Sequence, residues 1–82
     1  MDRQDILQGV ETAVREVLND PSVTLDERTE ALDVNGWDSL HHVRIILAVE
    51  SHFGVRFEMD EIQDLADVGA LIDLVAKHLA TQ

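Results

Sequence analysis

Apolar side chains of this 82-residue chain recur at steps of three and four residues in three separate segments. Such spacing places them on one face of an α-helix, whereas a strand would require alternation. The first segment, Asp5 to Leu18, has a predicted apolar face made of Ile6, Leu7, Val10, Ala13, Val14, Val17 and Leu18. Asn19, Asp20 and Pro21 end this helix, because proline blocks its continuation and Asn and Asp favour turns.

The other two periodic segments follow a long loop and predict two further helices. One runs from Ser39 to about His52, and its apolar stripe comprises Leu40, Val43, Ile46, Leu47 and Phe53, widened by Ile45 and Val49. The last begins after Asp67, which caps it, and its predicted buried stripe comprises Val68, Leu71, Ile72, Val75 and Leu79. Gly54 suits the C-terminal cap of the former helix, and Lys77 and His78 suit the negative end of the latter.

The segments between these helices are predicted to be held to the core by a few apolar residues. In the loop from Ser22 to Gly36 the expected anchors are Val23, Leu25, Leu32 and Val34. Thr29 to Ala31 can form one helical turn within it. Val55 and Phe57 alternate as in a strand, but no second strand exists to pair with them. We therefore interpret them as extended residues that fill the core.

A short helix is predicted from Asp60 to Leu65, with Asp60 as its cap and with Ile62 and Leu65 facing inward. Hydrophobic residues make up 45% of the chain and aromatic residues only 4%, so the core must be built from aliphatic side chains. The sequence thus predicts an all-α fold. It is a small four-helix bundle, with three longer helices, one short helix and a long first loop, in a single domain spanning residues 1–82.

Charge and composition exclude several classes of function. Six basic residues against 17 acidic ones give a formal net charge of −11, which repels nucleic acid and anionic membranes. Since the chain has no cysteine, any thiol chemistry must come from outside it. No stretch approaches the ~18 apolar residues of a membrane span, and the start MDRQDILQ lacks the apolar run of a signal peptide. We expect a cytoplasmic monomer that binds neither nucleic acid nor membrane.

One hydroxyl lies where the long loop becomes the second long helix, in the stretch NGWDSLHHV at residues 35–43. The simplest interpretation of Ser39 is a helix cap, since a serine oxygen accepts an unpaired backbone N–H. Asp38 can make that cap instead, which leaves the Ser39 hydroxyl facing solvent. A phosphate there would lie at the positive end of the helix. The position therefore also suits a serine that an external transferase converts to a phosphate ester.

Catalytic and metal-binding interpretations fit this stretch poorly. Asp38, Ser39 and His42 include the side-chain types of a hydrolytic triad, but neighbours at one helix start cannot easily orient one another as a triad requires. The loop DVNGWDSLHHVR fails the calcium pattern, because Trp37, Asp38 and Arg44 occupy its fifth, sixth and twelfth positions. Asp38 and His42 supply at most two zinc ligands. We predict neither catalytic residues nor a metal site.

The run GWDSL at Gly36 to Leu40 resembles the phosphopantetheine attachment motif of acyl carrier proteins, whose core is Asp-Ser-Leu at the start of the second helix. The similarity also covers the apolar pattern after the motif, the GVRF segment, and EIQDL followed by DVGALIDLV. It implies that Ser39 accepts 4′-phosphopantetheine from coenzyme A and that the thiol of this arm holds an acyl group as a thioester. It further implies that Asp38 and Leu40 belong to the attachment site, Asp38 helping to position metal and substrate in the modifying enzyme.

The same resemblance implies partners: a phosphopantetheinyl transferase, and enzymes that load and process the acyl group. The residues expected to contact them, on or near the second long helix, are Trp37, Leu40, His41, Val43, Arg44 and Glu50. Many family members carry acidic residues where this chain has His41 and Arg44. We therefore predict a dedicated carrier in a specialised fatty-acid, polyketide or related pathway, rather than the housekeeping fatty-acid carrier.

Several alternatives stay open at this point. Trp37 is either a half-buried anchor under the helix start or a contact for the arm or a partner. The histidines are interpreted as exposed helix residues, and Met59 as a core residue that fills a gap. The cargo of a carrier can be aminoacyl, peptidyl or D-alanyl instead of acyl. A different class of protein, an unmodified acidic helical adaptor for a basic partner, also fits the charge. In each case the chain is expected to catalyse no reaction itself.

Overall fold

The computed structural model describes residues 1–63 and 65–81, and over these residues it contains four α-helices and no strand. The helices are α1 (Arg3–Leu18), α2 (Ser39–Phe53), α3 (Met59–Gln63) and α4 (Val68–Ala80), with a one-turn 3-10 helix at Ala31–Asp33. The predicted all-α architecture is confirmed. Asp64, which falls inside the predicted short helix, lies outside the described residues. Among the described helices, none combines the length and apolar character needed to cross a bilayer.

Local capping signals explain where α1 begins and ends. The Asp2 side chain accepts a hydrogen bond from the Asp5 backbone N–H at 2.9 Å, so the helix starts at Arg3, earlier than periodicity predicted. At the other end, Asn19 adopts a left-handed conformation with φ of 53°, which stops the helix where the sequence predicted. The ends of α1 are therefore determined by polar residues and its orientation by its apolar face.

The core lies between α1, α2 and α4 and is aliphatic, as the composition required. Its fully enclosed members are Ile6, Val10, Ala13, Val14, Val23, Leu25, Ile45, Ile46, Val49, Val68, Leu71, Ile72 and Val75. Within the described residues no polar or charged side chain is buried. Stability therefore depends on close aliphatic packing, where the loss of even a few methyl groups is costly.

The face that α2 turns towards the core differs from the predicted stripe. Leu40, Val43 and Leu47 are 62%, 51% and 58% exposed, so their assignment to that stripe is wrong. The buried side chains of α2 are Ile45, Ile46 and Val49. Apolar residues surround most of this helix, and a pattern of that kind does not single out one inward face. Packing against α1 determines which face of α2 is buried.

Three of the four predicted anchors hold the long loop. Val23 and Leu25 are buried and Val34 is half-buried against the core, but Leu32 is 96% exposed and its prediction is wrong. The helical turn lies at Ala31–Asp33, later than predicted, and it carries Leu32 to the outside. The loop is thus fixed at its start and its end, with an apolar residue left exposed between them.

Backbone hydrogen bonds join the same loop to the start of α4. The Val68 N–H donates to the Thr29 carbonyl and the Gly69 N–H to the Glu27 carbonyl, both at 2.8 Å. A Cβ built on Gly69 would lie 2.8 Å from that Glu27 oxygen. Glycine is therefore required here by the close approach of two backbones.

Replacing Gly69 with alanine tests this close approach. An alanine in place of a helical glycine normally gains up to ~1 kcal/mol, but here its methyl group meets a backbone oxygen that cannot rotate away. We expect Gly69→Ala to lower the free energy of unfolding by about 1–3 kcal/mol. Urea denaturation followed by circular dichroism measures it, and a gain in stability would contradict the packing of the loop on α4.

The start of α3 departs from its prediction. The helix begins before Asp60, which therefore lies in its first turn and is not its cap. Glu58 precedes the helix, and its backbone N–H donates to the Glu61 carboxylate at 2.8 Å. A glutamate three residues into a helix often makes this contact. Ile62 and Leu65 are half-buried against the core, as predicted, but α3 ends at Gln63, so the placement of Leu65 within the helix is wrong.

Four further local predictions are confirmed. The Asp67 carboxylate caps α4 by accepting from the Ala70 N–H at 2.8 Å. Gly54 ends α2 with φ of 68°, a left-handed conformation that glycine adopts without strain. Val55 is buried and Phe57 is half-buried against the core, so both help to enclose the core just after the end of α2. Of the stripe predicted for α4, Val68, Leu71, Ile72 and Val75 are buried and Leu79 is half-buried.

Candidate functional site

Ser39 is the first residue of α2, and it is exposed. Asp38 occupies the capping position, where its Oδ1 accepts from the His41 backbone N–H at 2.8 Å. Since Asp38 makes the cap, neither the hydroxyl nor the backbone N–H of Ser39 has a hydrogen-bond partner in the described part of the chain. A free hydroxyl and a free N–H thus lie together at the positive end of the helix dipole.

Asp38 provides a permanent negative charge beside this hydroxyl. The hydrogen bond from the His41 backbone, followed by one from the His41 ring at 2.8 Å, holds the pKa of Asp38 below its ordinary value of 3.8. Its side chain is nevertheless 63% exposed. The carboxylate therefore stays ionised at neutral pH and accessible to a cation brought by another molecule.

Among the described residues, no general base contacts the Ser39 hydroxyl. The His41 ring contacts Asp38, and the His42 ring is engaged by other groups: Trp37 Nε1 donates to His42 Nδ1 at 3.1 Å, and His42 Nε2 lies 3.1 Å from the Ile62 carbonyl. A serine without a base is a weak nucleophile. Within residues 1–63 and 65–81 there is also no group of three or more side chains able to hold a metal ion.

The contacts of His42 select its tautomer. Indole N–H is only a donor and a carbonyl oxygen only an acceptor, so Nδ1 accepts from Trp37 and Nε2 donates to Ile62. The ring thus bridges the loop before α2 to the end of α3. It also stacks on Trp37, with 6.1 Å between the ring centroids. His41, His42 and His78 are half-buried, so their prediction as exposed residues is wrong, whereas His52 is exposed as predicted.

Removal of the His42 ring, which joins Trp37 to the Ile62 carbonyl, is expected to destabilise the site. His42→Phe keeps a ring on Trp37 but leaves the indole N–H and the Ile62 carbonyl unpaired, which costs about 1–3 kcal/mol for partly buried groups. His41→Phe is the matched control, because it removes only an exposed contact to Asp38, which contributes little to stability. Chemical denaturation compares the two variants. Equal losses would contradict a structural role for the His42 ring.

An open apolar groove of about 550 Å³ adjoins Ser39, between α2, α3 and the long loop. Its apolar lining includes Leu32, Trp37, Val43, Met59, Ile62 and Leu65. Met59 is 70% exposed here, so its prediction as a core residue is wrong. Behind Trp37 and His42 a second pocket has a volume of only about 20 Å³, room for about one water. These two rings therefore separate the groove from the core.

The residues predicted to contact partners do not form a single cluster. Leu40, Val43 and Arg44 are exposed along α2, on its solvent side. Glu50 is half-buried, and its carboxylate accepts from the Phe57 backbone N–H at 2.7 Å. Trp37 is half-buried and packs against the core, as an anchor under the helix start, while also lining the groove. Both uses of Trp37 left open by the sequence are thus compatible with its position.

Sequence reasoning missed how α3 is held beside the site. The Glu61 carboxylate receives the Glu58 N–H and contacts His78 Nε2 at 3.0 Å and Lys77 Nζ at 3.3 Å, both on α4. Chiefly because of the Glu58 hydrogen bond, and then because of His78 and Lys77, the pKa of Glu61 is lowered from 4.5 to about 2. The spacing of Glu58 and Glu61 was a detectable signal, whereas the contacts with α4 are long-range.

Acid is expected to weaken the attachment of α3 to α4 through Glu61. The folded pKa of Glu61 lies below its unfolded value, so its stabilising effect is present above pH 4.5 and is lost as the pH falls towards 2. Glu61→Gln should therefore melt below the unsubstituted protein at neutral pH, and the difference should close over that acidic range. Thermal melts at several pH values measure the difference. A difference that does not change with pH would contradict the role of the ionised carboxylate.

A helical bundle that presents an unpaired serine hydroxyl at a capped helix start, with no base of its own, is suited to be modified by other enzymes. The family model described as phosphopantetheine attachment site matches residues 8–75. The chain is 32% identical over 76 residues to the acyl carrier protein of Acidothermus cellulolyticus, covering 93% of this chain and 90% of the relative. It is 33% identical over 80 residues to that of Saccharopolyspora erythraea, covering 98% and 84%.

A solved structure agrees with these matches. The solution NMR structure of the holo acyl carrier protein from Geobacter metallireducens is similar with a TM-score of 0.84 and 39% identity, over 93% of this chain and 87% of that one. The chain belongs to the acyl carrier protein family. Its role is that of a carrier, and its cofactor is covalently attached 4′-phosphopantetheine.

Proposed function

We propose that Ser39 is the residue that receives the 4′-phosphopantetheine arm, and that the thiol of the arm carries acyl intermediates as thioesters. The observation that supports this most directly is the exposed Ser39 hydroxyl, left without a hydrogen bond because Asp38 caps α2. Its oxygen forms the phosphodiester bond while the phosphoanhydride bond of coenzyme A breaks and releases adenosine 3′,5′-bisphosphate, and the serine proton passes to a base of the transferase. The arm supplies the thiol that this cysteine-free chain lacks.

The residues at the helix start fit this group. The free N–H of Ser39 and the positive end of α2 favour the phosphate that the modification leaves behind. The ionised, accessible Asp38 carboxylate can bind the metal of a visiting transferase, which also brings the missing base. Leu40 is exposed beside Ser39, where it contacts the transferase through its apolar side chain. The chain contributes orientation and recognition, and the transferase performs the chemistry.

The groove beside Ser39 fits the apolar part of the carried group. Its volume of about 550 Å³ opens at Ser39, and its lining is mainly apolar. This favours acyl cargo over aminoacyl, peptidyl or D-alanyl cargo, whose ammonium or amide groups would lose hydration there. Because the arm keeps its cargo near each docked enzyme, weak and reversible docking is sufficient.

Intact mass measures the proposed modification. The protein is incubated with coenzyme A, magnesium and a broad-specificity phosphopantetheinyl transferase, and a gain of one phosphopantetheine is expected. Fragmentation should place the added mass on Ser39, and hydroxylamine should release an acyl group loaded afterwards, as it does from thioesters. No gain with several transferases would instead favour the unmodified acidic adaptor.

We further propose that the carrier is dedicated to a specialised pathway. His41 and Arg44 lie on or beside the exposed side of α2, so enzymes that recognise an acidic helix meet a neutral or positive surface there. We expect a general fatty-acid ketosynthase to use the acylated protein poorly. His41→Asp/Arg44→Glu should raise kcat/KM on the order of tenfold, by improving electrostatic attraction. Efficient turnover that is unchanged in the variant would contradict the proposal.

A further inference from the structure

Exposed apolar side chains are concentrated around α2. Apart from the terminal Met1, the large hydrophobic residues exposed in the described part of the chain are Leu32, Leu40, Val43, Leu47 and Met59. Leu40, Val43 and Leu47 follow one another at helical spacing and form one strip, here called the α2 strip. Isolated exposed apolar residues are ordinary, but a contiguous strip marks a surface that another molecule covers.

Two arginines flank the α2 strip without ion pairs. Arg44 is exposed between Val43 and Leu47 on the helix, and Arg56 lines a recess of about 540 Å³ together with Leu47, just beyond the end of α2. Neither makes a salt bridge within residues 1–63 and 65–81. The basic residues that do make one are Arg3, Arg15 and Lys77. In a chain with 17 acidic residues, two unpaired arginines next to an apolar strip are a distinctive combination.

Acidic side chains at the two ends of α2 are held by other groups. Glu50, the only acidic residue of α2, lines the same recess as Arg56, but its carboxylate accepts the Phe57 backbone N–H at 2.7 Å. Asp38, at the other end, is engaged by the backbone and ring of His41. The α2 strip is therefore bordered by two arginines that no salt bridge within the described residues compensates, although the chain as a whole carries a net charge of −11.

We propose that the enzymes acting on the cargo dock on the α2 strip with an apolar recess bordered by carboxylates that face Arg44 and Arg56. This inference rests on the proposed carrier function, because it identifies the chemistry of the partners that function requires. Carboxylates complement guanidinium groups in geometry and charge, and leucine side chains require an apolar recess. The net charge of the chain predicts the opposite, a basic partner, so the two expectations can be separated.

Two designed peptides distinguish an acidic from a basic partner. Each is an 18-residue amphipathic helix with leucines along one face, bordered by glutamates in one peptide and by lysines in the other. They are titrated into the unmodified protein at about 0.15 M salt, where charges more than ~8 Å apart are largely screened. NMR chemical shifts give the affinity and the binding surface. We expect at least tenfold tighter binding of the glutamate peptide, with shifts centred on the α2 strip.

Charge reversal provides the matched comparison. Arg44→Glu/Arg56→Glu should abolish the preference for the glutamate peptide, whereas Arg28→Glu, at another exposed arginine without an ion pair, should preserve it. Each variant keeps Ser39, and its folding is checked by circular dichroism. Phosphopantetheine loading is measured separately, so failure of loading and failure of peptide recognition are distinguishable results.

Three outcomes would overturn the proposal. One is tighter binding of the lysine peptide to the unsubstituted protein, and another is an equal loss of preference in Arg28→Glu. The third is self-association: sedimentation that shows a dimer which Arg44→Glu/Arg56→Glu dissociates would make a second acidic copy the occupant of the α2 strip. A monomer that prefers the glutamate peptide supports the proposal.

Discussion

Ser39→Ala is expected to gain no phosphopantetheine under conditions in which the unsubstituted protein gains one group per chain. The alanine methyl has no oxygen to form the phosphodiester, and no neighbouring side chain at the start of α2 replaces it. Folding should be nearly unchanged, within about 0.5 kcal/mol, because Asp38 and not Ser39 caps the helix. Intact mass measures the loading, and circular dichroism confirms that the loss is chemical.

The other serines of the chain are the matched controls. Ser22 is exposed in the long loop and its hydroxyl donates to Asp20 at 2.6 Å, while Ser51 lies exposed near the end of α2, away from the positive end of the helix. Ser22→Ala and Ser51→Ala should both load fully. Loading that persists in Ser39→Ala but disappears in one of these variants would assign the arm to a different serine.

Ile45→Ala is expected to have the largest effect on stability. Ile45 is fully buried on the face of α2 that packs in the core, so truncation removes apolar contacts and leaves a cavity. Substitutions of this kind cost about 2–5 kcal/mol. An 82-residue domain has a total stability of roughly 4–12 kcal/mol, so the variant should be close to unfolding at physiological temperature. Urea denaturation gives the free-energy difference.

Leu47→Ala on the same helix separates burial from residue type. Leu47 is of similar size but 58% exposed, so its truncation should change the free energy of unfolding by no more than about 0.5 kcal/mol. Sequence periodicity placed both residues in one widened stripe, and the structure places them on opposite sides of α2. Similar losses for the two variants would show that α2 is rotated from the orientation described above.

Local features of the sequence predicted the ends of most helices correctly. Asn19 and Gly54 end α1 and α2 in left-handed conformations, and Asp67 caps α4, because each of these effects depends only on residues within one turn. The predictions failed at the start of α1, which begins at Arg3 and not at Asp5, and at α3, which begins at Met59 and not at Asp60. Before α3 the Glu61 carboxylate accepts the Glu58 backbone N–H, and the same carboxylate contacts α4.

In the candidate site, too, local contacts were predicted from the sequence and long-range contacts were not. Asp38 capping α2 and leaving Ser39 free is a relation among neighbours, and the motif predicted it. The bridge from Trp37 through His42 to the Ile62 carbonyl was not predicted, because its acceptor belongs to another helix and carries no side-chain signal. Nor was the exposure of Leu32 and Met59, which depends on how the loop and α3 lie around the groove.

Sequence alone was enough to predict that the chain is helical, that its core is aliphatic, and that one serine begins a helix capped by its neighbour. Apolar spacing and helix caps depend on residues that are close in the chain, so they can be predicted from the sequence. The packing of the folded chain was needed to show which side of α2 faces the core and which leaves Leu40, Val43 and Leu47 exposed with Arg44. Apolar residues lie on more than one side of this helix, only one side can be buried, and packing against α1 selects it.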